Sequence, residues 1–213
     1  MATTAVASPT LRAQIDAAVA AGDAQHYVKI VSFNTAPGQS QTITSLAGPG
    51  MGTQFLSTGV SGGSNHMTVE YVNHALYVKA SLGFLEGTFG LSPGVATSVI
   101  DKWVLVPTSS SAFRNVFAAV TITSAMSFVA TAGPVTSGRS TTLAGVKVKV
   151  FRVAMVKSSA SPAGTETLYV ALAGPPLPVE VDFVGGGYTS KMRFSQWGKR
   201  FTLHPPATSL TMP

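Results

Sequence analysis

Gly59-Val60-Ser61-Gly62-Gly63 matches the G-x-S-x-G pattern of serine hydrolases, and Asp101, Asp182 and His204 follow in the chain order such enzymes use. The pattern does chemistry only on a strand-to-helix elbow, where a strained turn thrusts the hydroxyl out of the sheet. Here SNHMTVEYVN follows, an alternating run that reads as strand. Ser61 is therefore read as part of a glycine-rich hairpin turn, and no enzymatic activity is expected. Glu180 and Asp182, two residues apart on one strand face, could do acid/base work only if they faced a cleft. They read instead as a solvated outer sheet face, with Val179, Val181 and Phe183 on the other side. The four histidines, His26, His66, His74 and His204, lack ligand spacing, and the absence of cysteine excludes thiolate metal sites and disulfides. Gly48, Gly50 and Gly52 are too closely spaced for a dinucleotide fingerprint and read as a turn, so no cofactor is expected.

With so little polar chemistry, composition carries more of the argument. The chain has 213 residues, long enough to bury a sizeable core. Only 10% are charged, against roughly 25% in an average soluble domain, and the mean hydropathy is +0.31. Yet no window reaches the ~18 uncharged apolar residues of a membrane-spanning helix. The greasiest stretch, 75–107, is interrupted by Glu86, Asp101, Lys102 and several glycines. Surplus apolar surface without a span is the implication. The net charge of +6 is dispersed, the nearest thing to a run being Lys191, Arg193, Lys199 and Arg200. Nucleic-acid binders concentrate basic residues in a stripe interleaved with aromatics, so no nucleic-acid partner is expected. Weak attraction to an anionic surface fits better. Met1 is followed by ATTAVASPT, with neither a charged leader nor an apolar core of a signal peptide. Two readings stay open at this point: a cytosolic protein, or an exported one whose leader has been removed.

The periodicities place these residues on elements. Residues 1–7 read as a flexible tether and 8–213 as a single domain. Ser8 can cap and Pro9 open a helix whose apolar stripe, Leu11, Ile15, Ala18 and Val19, stops at Gly22. Strands are expected over 26–35, 39–47, 53–60, 66–73 and 75–80, separated by turn residues. Residues 75–107 then leave and return as strand around an apolar insert. Ser92-Pro93 opens a helix within it, and Leu82, Phe84, Leu85, Phe89 and Leu91 are too apolar for an uncovered connection. A helix capped within 109–111 carries Phe113, Val116, Phe117 and Val120; another, opened by Thr121, carries Ile122, Ala125, Met126 and Val129 and ends at Gly133-Pro134. Sheet resumes over 139–144, 146–157, 166–173, 177–184, 188–195 and 198–203. The fold class is α+β, built on one strongly curved antiparallel sheet.

In this order the phrases Leu76-Tyr77-Val78-Lys79, Lys102-Trp103-Val104, Gly145-Val146, Leu168-Tyr169-Val170, Gly174, Leu177-Pro178-Val179, Phe194 to Gly198 and His204-Pro205-Pro206 span nearly the whole chain. The chain thereby resembles the actinobacterial cell-envelope lipoproteins of the LolA-like class, including the mycobacterial glycolipid-carrier type. The resemblance implies a half-open β-barrel with helices packed on its concave side and an apolar cavity between them. It further implies carriage rather than turnover, a monomer, and export to the cell envelope with a lipid anchor on the outer face of the cytoplasmic membrane. The sequence departs from the class in having no lipobox cysteine, so membrane attachment through an N-terminal lipid anchor requires one where Met1 now stands.

The leading expectation is a cell-envelope domain that binds or carries an acylated lipid or glycolipid. Its lining would come from Leu85, Phe89, Val99, Phe113, Phe117, Met126 and Val129, with Val28 and Ile30 from the sheet. Each buried methylene contributes about 0.8 kcal/mol, so ~10 enclosed carbons retain a ligand with few polar contacts. The alternative is a non-carrying envelope sensor or scaffold module whose apolar face meets a protein partner or the membrane surface.

Overall fold

A computed structural model describes residues 10–60, 63–110, 113, 116–117, 120–129, 132–156 and 162–212. The expected tether, the capping Ser8 and Ser61 lie outside the described residues. Helix α1 (Leu11–Asp23) is capped by Thr10, whose hydroxyl accepts from the Ala13 N–H at 3.2 Å. An up-and-down run follows: β1 (Val28–Ala36), β2 (Gln39–Gly48), β3 (Met51–Val60), β4 (Gly63–Val72) and β5 (Ala75–Ala80). The insert holds two short helices, α2 (Leu82–Gly87) and α3 (Pro93–Val99), before β6 (Val104–Val106) returns antiparallel to β5. Ser92 and Pro93 open α3 as the spacing predicts, although the serine hydroxyl makes no capping bond. Phe113, Val116 and Phe117 have helical backbone, and α4 (Ile122–Ser127) starts at Thr121, whose hydroxyl accepts from the Ser124 N–H.

The second half is β7 (Val135–Ser137), β8 (Thr141–Leu143), β9 (Val146–Met155), β10 (Gly164–Ala171), β11 (Pro178–Gly185), β12 (Tyr188–Ser195) and β13 (Leu210–Thr211). All lie in one thirteen-stranded sheet of order β13-β6-β5-β4-β3-β2-β1-β12-β11-β10-β9-β7, with β8 also on β9. Every pairing is antiparallel except β13 on β6. The sheet is two meanders fused where β1 pairs with β12, Lys29 opposite Ser195 through Thr35 opposite Thr189. Three hairpin turns place both central residues at positive φ: Asn73-His74, Ala144-Gly145 and Gly186-Gly187. That turn geometry follows the twist of the flanking strands and keeps the register.

One expectation is corrected. Residues 198–203 form no strand; the Gly198 N–H donates to the Tyr27 carbonyl and Phe201 meets Tyr27 edge-on at 5.4 Å, so this segment covers β1 rather than extending the sheet. The two-residue β13 supplies the edge partner instead. In β9, the outward Val148 and Val150 are buried as well as the inward Phe151 and Val153. The link between β7 and β8 folds over that outer face, with the Gly138 N–H donating to the Val150 carbonyl at 2.9 Å.

The sheet's inner face meets the remaining chain closely at Gly52, where a Cβ would collide with the backbone carbonyl of Val120. Backbone cannot swing aside as a side-chain tip can. Gly52→Ala is expected to destabilise the fold by roughly 1–3 kcal/mol, read as a lower urea midpoint at unchanged slope.

Candidate functional site

In a sheet, residues directly opposite across paired strands point to the same side. Following the pairings, one row runs Ala80, Met67, Leu56, Ile43, Ser32, Met192, Val181, Leu168, Phe151, from β5 across the middle of the sheet to β9. The adjacent row runs Val104, Val78, Val69, Gln54, Ser45, Ile30, Phe194. Both are apolar at their ends and polar in the centre. Ser32, Ser45 and Gln54 are all buried, with the Gln54 amide donating to the Ser45 hydroxyl at 3.2 Å.

This polar band coincides with a division of the core. One apolar cluster joins Ile15 and Ala18 of α1 and Ala125 and Met126 of α4 to Val28, Ile30, Phe151, Leu168 and Phe194. The other joins Leu85 of α2 and Ala96 and Val99 of α3 to Leu56, Val69, Leu76, Val78, Val104 and the penultimate Met212. The nine residues expected to line a cavity are shared between these groups. Val28, Ile30, Met126 and Val129 lie in the first; Leu85 and Val99 lie in the second, with Phe89 and Phe113 packed against it. Phe117 is on the second cluster's side, stacked on Phe113 at 5.8 Å and edge-on to Tyr71 at 4.6 Å.

At this seam a half-open cleft of about 310 Å³ lies between the end of α1, the β2–β3 turn and the start of α4, at the lower end of the range for small-molecule sites. Tyr71 and Phe117 form one wall and Ile122 another, with Asp23, Gln25, His26, Thr121 and Thr123 around them. Desolvation raises the Asp23 carboxyl above its ordinary value. The apolar stripe of α1 stops at Gly22, and only the strand order brings the next residue, Asp23, to a cleft that Tyr71 also lines.

A third inner row is polar over much of its length: Asn65, Thr58, Gln41, Asn34, Ser190, then Phe183, Glu166 and Val153. The Ser190 hydroxyl donates to the side-chain Oδ1 of Asn34 at 2.7 Å, and Asn34 Nδ2 donates to Gln41 Oε1 at 2.8 Å. Glu166 is only 5% exposed. The signal was present in β1, where continuing the Val28, Ile30 alternation puts Ser32 and Asn34 on the same face.

The carboxylates expected on a solvated face are placed differently. Glu180 and Asp182 do face outward, but Glu180 is 1% exposed, bonded to Arg193 Nε and 3.4 Å from Lys191 Nζ. The hydrogen bond from Arg193 and its opposite charge raise the guanidinium's pKa. Burial first and the Glu180 charge second raise Asp182, and burial with both carboxylates raises Tyr169. The remaining hydrolase candidates do not assemble. Asp101 pairs with His66 Nε2 at 2.9 Å, Asp182 lies seven strand positions from β6 in the sheet order, and His204 is exposed.

An unclosed, mostly antiparallel sheet with helices on its concave face defines the fold as the LolA-like half-barrel. Two solved structures share it: LprF from Mycobacterium bovis, 14% identical over 95% of this chain and 100% of that one, with a TM-score of 0.60, and the Mycobacterium tuberculosis lipoprotein LppX, 13% identical over 93% and 100%, with a TM-score of 0.57. The resemblance carried by the ordered phrases is thus borne out at the level of fold. No family model matches the chain, and no curated protein matches it in sequence. Among the described residues no helix is long and apolar enough to cross a membrane.

Because Asp182 is raised in the folded protein, the fold binds its proton more tightly than the unfolded chain does. Its contribution is present below the ordinary value of 3.8 and is lost as pH rises through the raised folded value. Asp182→Asn should therefore raise the urea midpoint near neutral pH, with the gain vanishing at pH values below 3.8, where both side chains are uncharged.

Proposed function

We propose that this chain is the lipid-binding domain of an exported envelope protein, which holds or carries an acylated lipid or glycolipid between the inner face of its sheet and the helices laid on it. The observation that carries this reading is the concentration of both apolar clusters on one face of an unclosed sheet, divided by a buried polar band with a cleft at the division. Hydrocarbon inserted there exchanges water for apolar surface at about 0.8 kcal/mol per methylene, and needs no directional contact. Leu85, Phe89, Val99, Phe113 and Phe117 would line one half of the space and Val28, Ile30, Met126 and Val129 the other. The shared fold supports the reading, one neighbour being a lipoprotein by name. Attachment to the outer face of the cytoplasmic membrane would need a lipid-bearing cysteine ahead of α1, where the sequence has none. The domain would act as a monomer and without turnover, its carboxylates and histidines being committed to ion pairs or dispersed.

A second reading, a module that docks a protein partner or the membrane surface without carrying lipid, is favoured by Phe33 and Phe55. Both are about half exposed on the outer face, separated only by β2.

Native mass spectrometry of the protein isolated from a bacterial envelope is expected to show a lipid-mass adduct that organic extraction removes and an acyl lipid restores. A bare polypeptide mass, together with failure of a fluorescent acyl probe to saturate, would overturn carriage and leave the docking reading.

A further inference from the structure

Resting on that reading, the geometry points to the cleft between the end of α1 and the start of α4 as the mouth through which one hydrocarbon chain enters, and to Asp23 at its lip as the residue that selects uncharged or cationic head groups over anionic ones. At the cleft one wall packs against each cluster: Ile122 against the first, Tyr71 against the second. A chain entering there meets apolar surface on both sides, and Phe117, edge-on to Tyr71, stands across the way in. Bulky side chains at this position act by filling the passage rather than by recognising a head.

The lip, by contrast, is polar. It presents Asp23, Gln25, His26, Thr121 and Thr123, and among the described residues no lysine or arginine lines it. Lys199 and Arg200, on the segment whose Gly198 donates to Tyr27, are exposed and lie outside the lining. Those two stand outside the cleft, whereas the exposed Asp23 lines it and would be the nearer charge to a head group held there. A ligand carboxylate or phosphate held among these groups would face a like charge at short range. A glycerol or amide head would find hydroxyl and amide partners with no such penalty, and an ammonium head would be attracted.

The test uses the full chain and an environment-sensitive acyl dye displaced by monopalmitoylglycerol or by palmitate, each below its micelle concentration. The neutral lipid should displace the dye roughly tenfold more effectively, the scale of one partly screened like-charge contact. Asp23→Asn, an exposed substitution, should bring the two within about twofold of each other by removing that contact. Thr123→Trp, also exposed, should weaken both together by narrowing the mouth. Equal displacement by the two lipids, a preference that Asp23→Asn leaves intact, or indifference to Thr123→Trp would overturn the mouth while leaving lipid binding in place. Failure of both lipids and of the dye to bind would overturn both readings.

Discussion

Antiparallel strands joined by tight hairpins put every second side chain on the same side, and a sheet of thirteen such strands must have that side covered. Everything else in this protein follows from the mismatch between that face and its cover. The described helices have 13, 6, 7 and 6 residues. At 1.5 Å per residue the shorter ones are only about 9 Å long, two strand spacings. They cannot form one continuous layer. They settle as two groups, α1 with α4 and α2 with α3, each over its own set of strands, and the core divides accordingly.

The polar band between the groups is the energetic counterpart of that division. Ser32, Ser45 and Gln54 occupy inner positions that alternation reserves for apolar side chains, and they are buried, so their hydrogen bonds must be made internally. Leaving one such group unsatisfied costs about 1–3 kcal/mol, so whatever packs across the band must leave its internal bonds intact. The outer face follows the opposite logic. There Glu180 is removed from water by its cross-strand neighbours Arg193 and Lys191, whose own exposure leaves the pair partly screened. Inner and outer faces therefore differ in kind: one offers apolar surface, the other closes its charges on themselves.

Local pattern was enough to read the framework. Val28 and Ile30 alternate as they should, Pro93 opens α3, and Thr121 caps α4 where its neighbours predict. What local pattern could not supply is order across the sheet. The pairing of β1 with β12 links positions more than 150 residues apart in sequence, and it decides that Met192 and Val181 continue the row begun by Ala80. Division of the nine candidate residues depends on that long-range pairing, whereas Glu180 meets Arg193 across the local β11–β12 hairpin, 13 residues apart. Helix α2 escaped notice for a different reason, since Gly83 and Gly87 give it poor intrinsic propensity and packing of Leu85 holds it. The segment 198–203 has the composition of a strand but no free strand to pair with, β12 being flanked on both sides by β1 and β11.

An open sheet differs from a closed barrel in having two lateral borders, each a row of backbone donors and acceptors that another chain could extend. Here one border is β13, two residues long, and the other is split between β7 and β8, three residues each with a bend over Val150 between them. No long straight template for strand addition is left on either side. Borders trimmed this short give a second copy of the chain little backbone to extend, so the sheet guards its sides without having to become a cylinder.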